Sequence, residues 1–174
     1  MLILVGPSAS GKTEIAKALV NHFNFKKIIT TTTRPKRDHE VDGIDYHFLN
    51  DTMFDRLKSE NKFIETSLYQ GYQYGLQKKD VISYGIVILD PNGANTIYQN
   101  MKDDMFIIYV ESNPEIRWYR MRQRGDDDLS MKKRIETDEN IFNIKQLQHV
   151  DYIVNNDHPH VMEATLQCLK HYQN

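Results

Sequence analysis

Gly6-Pro7-Ser8-Ala9-Ser10-Gly11-Lys12-Thr13 fits the pattern G-x-x-x-x-G-K-[ST], and its place in the chain decides how the rest is read. It follows the apolar run Met1–Val5 and precedes Ile15, Ala18, Leu19 and Phe23, which recur at helical spacing. A strand, a glycine-bearing loop and a helix in that order form a cradle for a polyphosphate. The glycines let the backbone wrap the anion, and the exposed amides and helix N-terminus supply positive potential. Lys12 reaches the terminal phosphates and the Thr13 hydroxyl can ligate Mg²⁺. All eight residues, Gly6 through Thr13, are therefore expected to bind a nucleoside polyphosphate.

Outward from this loop, short apolar runs alternate with helical segments, the pattern of an α/β domain with a mainly parallel sheet. After Met1–Val5 the runs are Gly85–Leu89, Met105–Val110 and Tyr152–Val154, each followed by a helix candidate. Ser112-Asn113-Pro114-Glu115 has capping-box spacing, which predicts a helix to about Met121. A longer helix is expected from Ser130 to about Leu147. The last is expected from Asp157, with Pro159 in its first turn and Val161, Met162, Leu166 and Leu169 buried. Between Thr30 and Asp80 the alternation stops. That stretch reads as a small mixed β insert with one helix near Thr52–Ser59. The expected organisation is one domain over 1–174: a core of 1–29 and 81–174, an insert of 30–80, and a lid at about 122–134.

The 174 residues carry 22 Lys plus Arg and 24 Asp plus Glu, a net charge of -2 that offers no global attraction to nucleic acid or an anionic membrane. Basic groups must act locally. Cys168 is the only cysteine, which argues against a disulfide-held secreted fold. No apolar run is long enough for a membrane span or a signal-peptide core, so a cytoplasmic protein is expected. The paired spacing of His158 and His160 lacks the further ligands of a zinc site.

Gly85-Ile86-Val87-Ile88-Leu89-Asp90 is an apolar strand ending in a carboxylate, suited either to holding Mg²⁺ or to capping the next helix. In Thr30-Thr31-Thr32-Thr33-Arg34-Pro35-Lys36-Arg37, two arginines stand beside hydroxyl residues. Arginine suits forked contacts with phosphate oxygens, although a solvated charged hairpin would have the same composition.

From Thr32 onward the chain resembles the monophosphate site of the guanylate kinase family, T-T-R-x-x-R-x-x-E-x-x-G-x-x-Y-x-F. The matches are Thr32, Thr33, Arg34, Arg37, Glu40, Gly43, Tyr46 and Phe48. A second block follows at Phe63-Ile64-Glu65, Gly71 and Tyr74-Gly75. With the phosphate loop and a basic segment, the resemblance spans essentially the whole chain. It implies a three-layer P-loop kinase fold and transfer of phosphate from ATP to a nucleoside monophosphate, GMP or dGMP, with Mg²⁺. Arg34, Arg37, Tyr46 and Tyr74 would hold the acceptor phosphate. Thr30 would contact the base and Glu65 would read guanine, whose N1–H and N2–H donors one carboxylate can accept. Arg120, Arg124 and Arg134 match the family's lid arginines, whereas Arg117 and Arg122 read as a solvated helix face. Together with Lys12, the lid arginines would neutralise the transferring phosphoryl group.

Departures fall at base contacts. Leu76 stands where a small hydroxyl is usual, Asn92 where a second base-facing carboxylate is expected, Thr30 for a serine, and His39 for a glycine. Two alternatives therefore accompany the reading: a related kinase of another phosphorylated acceptor, such as a different nucleotide or ribose 1,5-bisphosphate, and a non-catalytic guanylate-kinase-like interaction module. The expected partners are small nucleotides.

Overall fold

The computed structural model describes residues 1–101, 104–158 and 160–172. Its core is a parallel sheet of β1 (Leu2–Val5), β2 (Lys26–Lys27), β7 (Gly85–Ile88), β8 (Phe106–Glu111) and β9 (Tyr152–Asn155), in the order β2-β7-β1-β8-β9. Strand β1 is central and wholly buried, as a continuous apolar run in a covered parallel sheet should be. Its side chains alternate between two cores. Ile3 and Val5 join Val87, Ile107 and Tyr109 on one face, while Leu2 and Leu4 join Ile86, Ile108 and helix α1 (Lys12–His22) on the other.

Helix α3 (Pro91–Met101) covers the first face with Ala94 and Ile97, and α6 (Val161–Tyr172) covers the second with Ala164 and Cys168. The phosphate loop leaves the carboxyl end of the central strand, where ligands of open parallel sheets bind.

The second sheet is mixed, with β4 (His47–Phe48), β3 (Thr31–Thr32), β6 (Tyr72–Gln77) and β5 (Phe63–Tyr69) in that order. Strands β5 and β6 form a hairpin through Gln70-Gly71, both with positive φ, the geometry that suits a two-residue turn. The register shifts between Phe63 and Glu65. Helix α2 (Asp51–Ser59), capped by Asn50, packs on this sheet through Phe54, which stacks on Phe63 at 4.5 Å.

Several helix ends differ from the sequence expectation. Helix α4 (Pro114–Gln123) is capped by Asn113, whose side chain accepts from the Glu115 amide; Ser112 instead donates to Asp157. Helix α5 (Asp128–Ile141) starts on Asp127 and stops well before Leu147. There Asn143 accepts from the Lys145 amide and opens a separate turn over Ile144–Gln146, a local bond that competes with the helix ladder. Helix α6 begins at Val161, and Met162 and Leu166 are exposed because Ala164, Thr165 and Cys168 form its buried stripe. The expected role of Pro159 lies outside the described residues. Strand β2 carries two exposed lysines at a sheet edge and has no apolar signal. Among the described residues no helix is long and apolar enough to cross a membrane.

Candidate active site

The phosphate loop is tight enough to dictate its glycines. A Cβ on Gly6 would stand 2.1 Å from the Val110 carbonyl oxygen, and one on Gly11, at φ 98°, would stand 2.0 Å from the Asn156 amide nitrogen. Gly11 is also the N-cap of α1 and brings no capping side chain, so the helix N-terminus stays open to an anion. Lys12 curls over the loop and donates to the carbonyls of Gly6 at 2.6 Å and Pro7 at 2.7 Å. Burial pushes its ammonium down to about 7, against the compensating charge of Asp138, with Arg117 and Arg124 adding to the fall.

Arg120 holds the loop from behind. Its guanidinium donates to the Asn156 carbonyl at 2.7 Å and to the Ala9 and Ser10 carbonyls at 3.3 and 3.4 Å. Arg124 is exposed at the end of α4, and Arg134 pairs with Asp126 at 3.2 Å. The expected lid arginines thus divide: Arg120 grips the loop, while Arg124 and Arg134 line the open cleft between α1 and the insert.

In the acceptor insert, Arg34 donates to Glu40 at 2.7 Å and lies against the rings of Tyr46 and Phe48. Burial disfavours the Glu40 carboxylate, but bonds from Arg34 and the Arg37 amide outweigh that and hold its carboxyl below the ordinary range. Arg34, Arg37, Tyr46 and Tyr74 line one cavity of about 230 Å³ together with Glu65 and Lys12. Thr30 stands in its wall and also in that of the larger cleft.

At the foot of this cavity the Glu65 carboxyl is buried and its Oε2 has no hydrogen-bond partner. Burial, reinforced by the charge of Asp90, pushes it up to about 8. Gly93 makes room for it: a Cβ there would stand 2.9 Å from Oε2. Asp90 lines the same cavity and accepts from the Gly93 amide at 3.0 Å, capping α3.

Two expected base contacts require correction. Asn92 is exposed on the first turn of α3, and its backbone carbonyl accepts from Thr96; the second carboxylate beside Glu65 is Asp90. Leu76 is paired with Glu65 across the hairpin but is fully buried in the apolar core. Pairing puts Leu76 on the same sheet face as Glu65, so it is the packing of that face on the apolar core, not strand alternation, that keeps Leu76 out of the cavity wall.

Arg117 also departs from expectation. Rather than a solvated helix face, it occupies a buried site and pairs with Asp138 at 2.9 Å. Sequence reasoning missed Asp138, an acid among many charges in α5, and no spacing signal marks it. The tyrosines of the hairpin divide as well: Tyr69 and Tyr74 line the cavity, and Tyr72 is partly exposed.

Thr13 is exposed at the start of α1, bordering both the cleft and a further cavity of about 400 Å³ lined by Tyr119, Arg120, Asn156 and His158. That cavity also reaches Lys12, and the cavity around Glu65 reaches Lys12 and Arg134. Two phosphorylated molecules placed in them would present their phosphates to the same basic groups.

The family model for guanylate kinase matches residues 1–172. A guanylate kinase of Syntrophotalea carbinolica is 32% identical over 171 residues, covering 94% of this chain and 81% of that protein. One of Rickettsia conorii is 34% identical over 166 residues, 90% of this chain and 71% of the other. The crystal structure of guanylate kinase from Anaplasma phagocytophilum shares the fold, with a TM-score of 0.74 at 22% identity over 99% of this chain and 84% of that one. A match of that extent, carried through a phosphate loop, an arginine-rimmed insert and a common fold, means that the chain belongs to the guanylate kinase family.

Proposed function

We propose that this chain transfers the γ-phosphoryl group of ATP to GMP or dGMP. The observation that carries the acceptor assignment is the unpartnered Oε2 of Glu65 at the foot of the cavity whose rim holds Arg34, Arg37, Tyr46 and Tyr74. A buried carboxyl without a partner is costly unless a ligand supplies one. Guanine offers adjacent N1–H and N2–H donors, whereas adenine presents an acceptor at N1. The position of Asp90 in the cavity wall beside Glu65 supports a role at the base rather than at the metal.

The phosphate-bearing end of the acceptor would meet Arg34, Arg37 and the two tyrosines. ATP would occupy the loop Gly6–Thr13 with its base toward Tyr119 and His158. The attacking phosphate oxygen is already anionic, so the chain need supply no strong base; its work is alignment and neutralisation of charge. Lys12, freed from the loop carbonyls by phosphate, and the cleft arginines Arg124 and Arg134 suit that work.

Magnesium fits the same place. The Thr13 hydroxyl is a hard oxygen donor, and no cluster of three or more His, Cys, Asp or Glu forms a metal cage among the described residues. Mg²⁺ is commonly held by one or two protein oxygens plus substrate phosphates. When bound it would screen the phosphate charges.

The test is ADP release measured over a panel of nucleoside monophosphates with ribose 1,5-bisphosphate included. GMP should exceed every other acceptor at least about tenfold in kcat/KM, a threshold well below the roughly 10⁴-fold that buried hydrogen-bonding groups can provide. Activity confined to another acceptor would overturn the assignment. Leu76 and Asn92 stand outside the cavity, so of the departures at base contacts only Thr30, a hydroxyl in place of a hydroxyl, alters its wall.

A further inference from the structure

Ser8 is gripped at all three of its polar groups by side chains from three different elements. Its amide donates to Asp138 of α5 at 2.7 Å, its carbonyl accepts from Arg117 of α4 at 2.8 Å, and its hydroxyl lies 3.3 Å from the Tyr69 hydroxyl on the β5–β6 hairpin. The three side chains also hold one another. Tyr69 donates to one oxygen of Asp138 at 3.1 Å, and Arg117 donates to the other at 2.9 Å. Burial, with the charge of Asp138, pushes the Tyr69 hydroxyl up to about 12, so it remains a donor.

The location matters more than the number of bonds. Ser8 lies in the phosphate loop, on the side that faces the acceptor cavity, and Tyr69 lines the same cavity. Arg134, which opens on both the cavity and the cleft, precedes Asp138 by four residues on α5, so the two share one helix face. The base of the lid helix, the edge of the donor loop and the tip of the acceptor hairpin are thereby joined at one residue.

We propose that Asp138, Arg117 and Tyr69 are positioning residues for phosphoryl transfer: their clamp on Ser8 sets the donor loop against the acceptor hairpin and fixes the base from which Arg134 reaches the cleft. None of them need touch the transferring group. Their effect is on alignment, and small misplacements are expensive in a reaction that depends on it. This inference rests on the kinase reading above.

The experiment compares steady-state kinetics with ATP and GMP for wild type, an Arg117→Leu/Asp138→Ala double variant, and Tyr69→Phe. Removing both charges of a buried pair is often tolerated, whereas removing one strands the other. The double variant should therefore be more stable than Asp138→Ala alone, while its kcat falls by about tenfold or more and both KM values stay within about threefold. Tyr69→Phe removes only a hydroxyl and should lower kcat about threefold with both KM values unchanged. A folded double variant with wild-type kcat, or one that changes KM alone, overturns the clamp. Should the double variant fail to fold, Tyr69→Phe decides, and wild-type kcat in it overturns the proposal. Wild type inactive on GMP would instead strike the kinase reading itself; wild type active with equally active variants strikes the clamp alone.

Discussion

Two arginine–carboxylate pairs lie at one cavity, Arg34 of the first in its wall and the second behind Ser8 and Tyr69, and water reaches them differently. Arg34 and Glu40 stand six residues apart on one loop, 2.7 Å from nitrogen to oxygen, with side chains 13% and 7% exposed. Arg117 and Asp138 come from two helices, at 2.9 Å, with side chains 4% and 0% exposed. The first guanidinium lies on the rings of Tyr46 and Phe48 and lines the cavity, so a ligand phosphate can reach it. The second is sealed, bonded to the Ser8 carbonyl and to Asp138. The same chemical pair thus presents a binding group where burial is incomplete and joins chain segments where it is complete.

Breaking the sealed pair should have the largest effect on folding. Asp138→Ala leaves the Arg117 charge buried without its partner and should lower stability by about 3–5 kcal/mol in urea denaturation. A loss below about 1 kcal/mol, the scale of an exposed pair, would mean that water reaches the site and the contrast is false.

Glu65 sharpens the comparison because it is a buried carboxyl with no arginine beside it. Its pKa, raised to about 8 from 4.5, means that between those values the folded chain keeps a proton that the unfolded chain has released. The native state then binds more protons, so stability falls as pH rises through that window, by up to about 1.4 kcal/mol per pH unit. Below the window both states are protonated, and above it both are ionised, so the slope vanishes at either end. Glu65→Gln should flatten the curve; an unchanged pH dependence in that variant would refute the assignment of the slope.

The smallest change in stability is expected at the half-open pair. Glu40→Gln keeps the shape but weakens the bonds from Arg34 and from the Arg37 amide, which should cost about 1 kcal/mol. Its effect on function should be greater: Arg34 and Arg37 lose their anchor, so KM for GMP should rise several-fold with kcat little changed. Destabilisation equal to that of Asp138→Ala would erase the distinction between the two pairs.

How far each region could be read ahead follows from how it is held together. The phosphate loop is one contiguous octapeptide between a strand and a helix, so its pattern is local, although its glycines are crowded by Val110 and Asn156 from distant parts of the chain. Arg34, Glu40 and Tyr46 belong to one local motif, so their convergence was legible. Glu65 was legible through the family resemblance, but the burial that leaves its Oε2 without a partner is set by the hairpin register and by Gly93 across the cavity. Asn92 was misplaced because the first turn of α3 points it to solvent, and Leu76 because the hairpin face it shares with Glu65 also packs on the apolar core.

Short-range spacing governs the alternating α/β plan, the glycine-bearing loop at Gly6–Thr13 and the arginine-bearing motif after Thr30, and these can be read from the chain alone. The pairing of Arg117 with Asp138, their shared hold with Tyr69 on Ser8, and the choice of Asp90 as the second carboxylate beside Glu65 come from packing at long range. Those contacts join residues 21 to 130 positions apart. A charged side chain in a helix carries the same local signal whether it ends in water or in the core, and only the packing of the helices settles which.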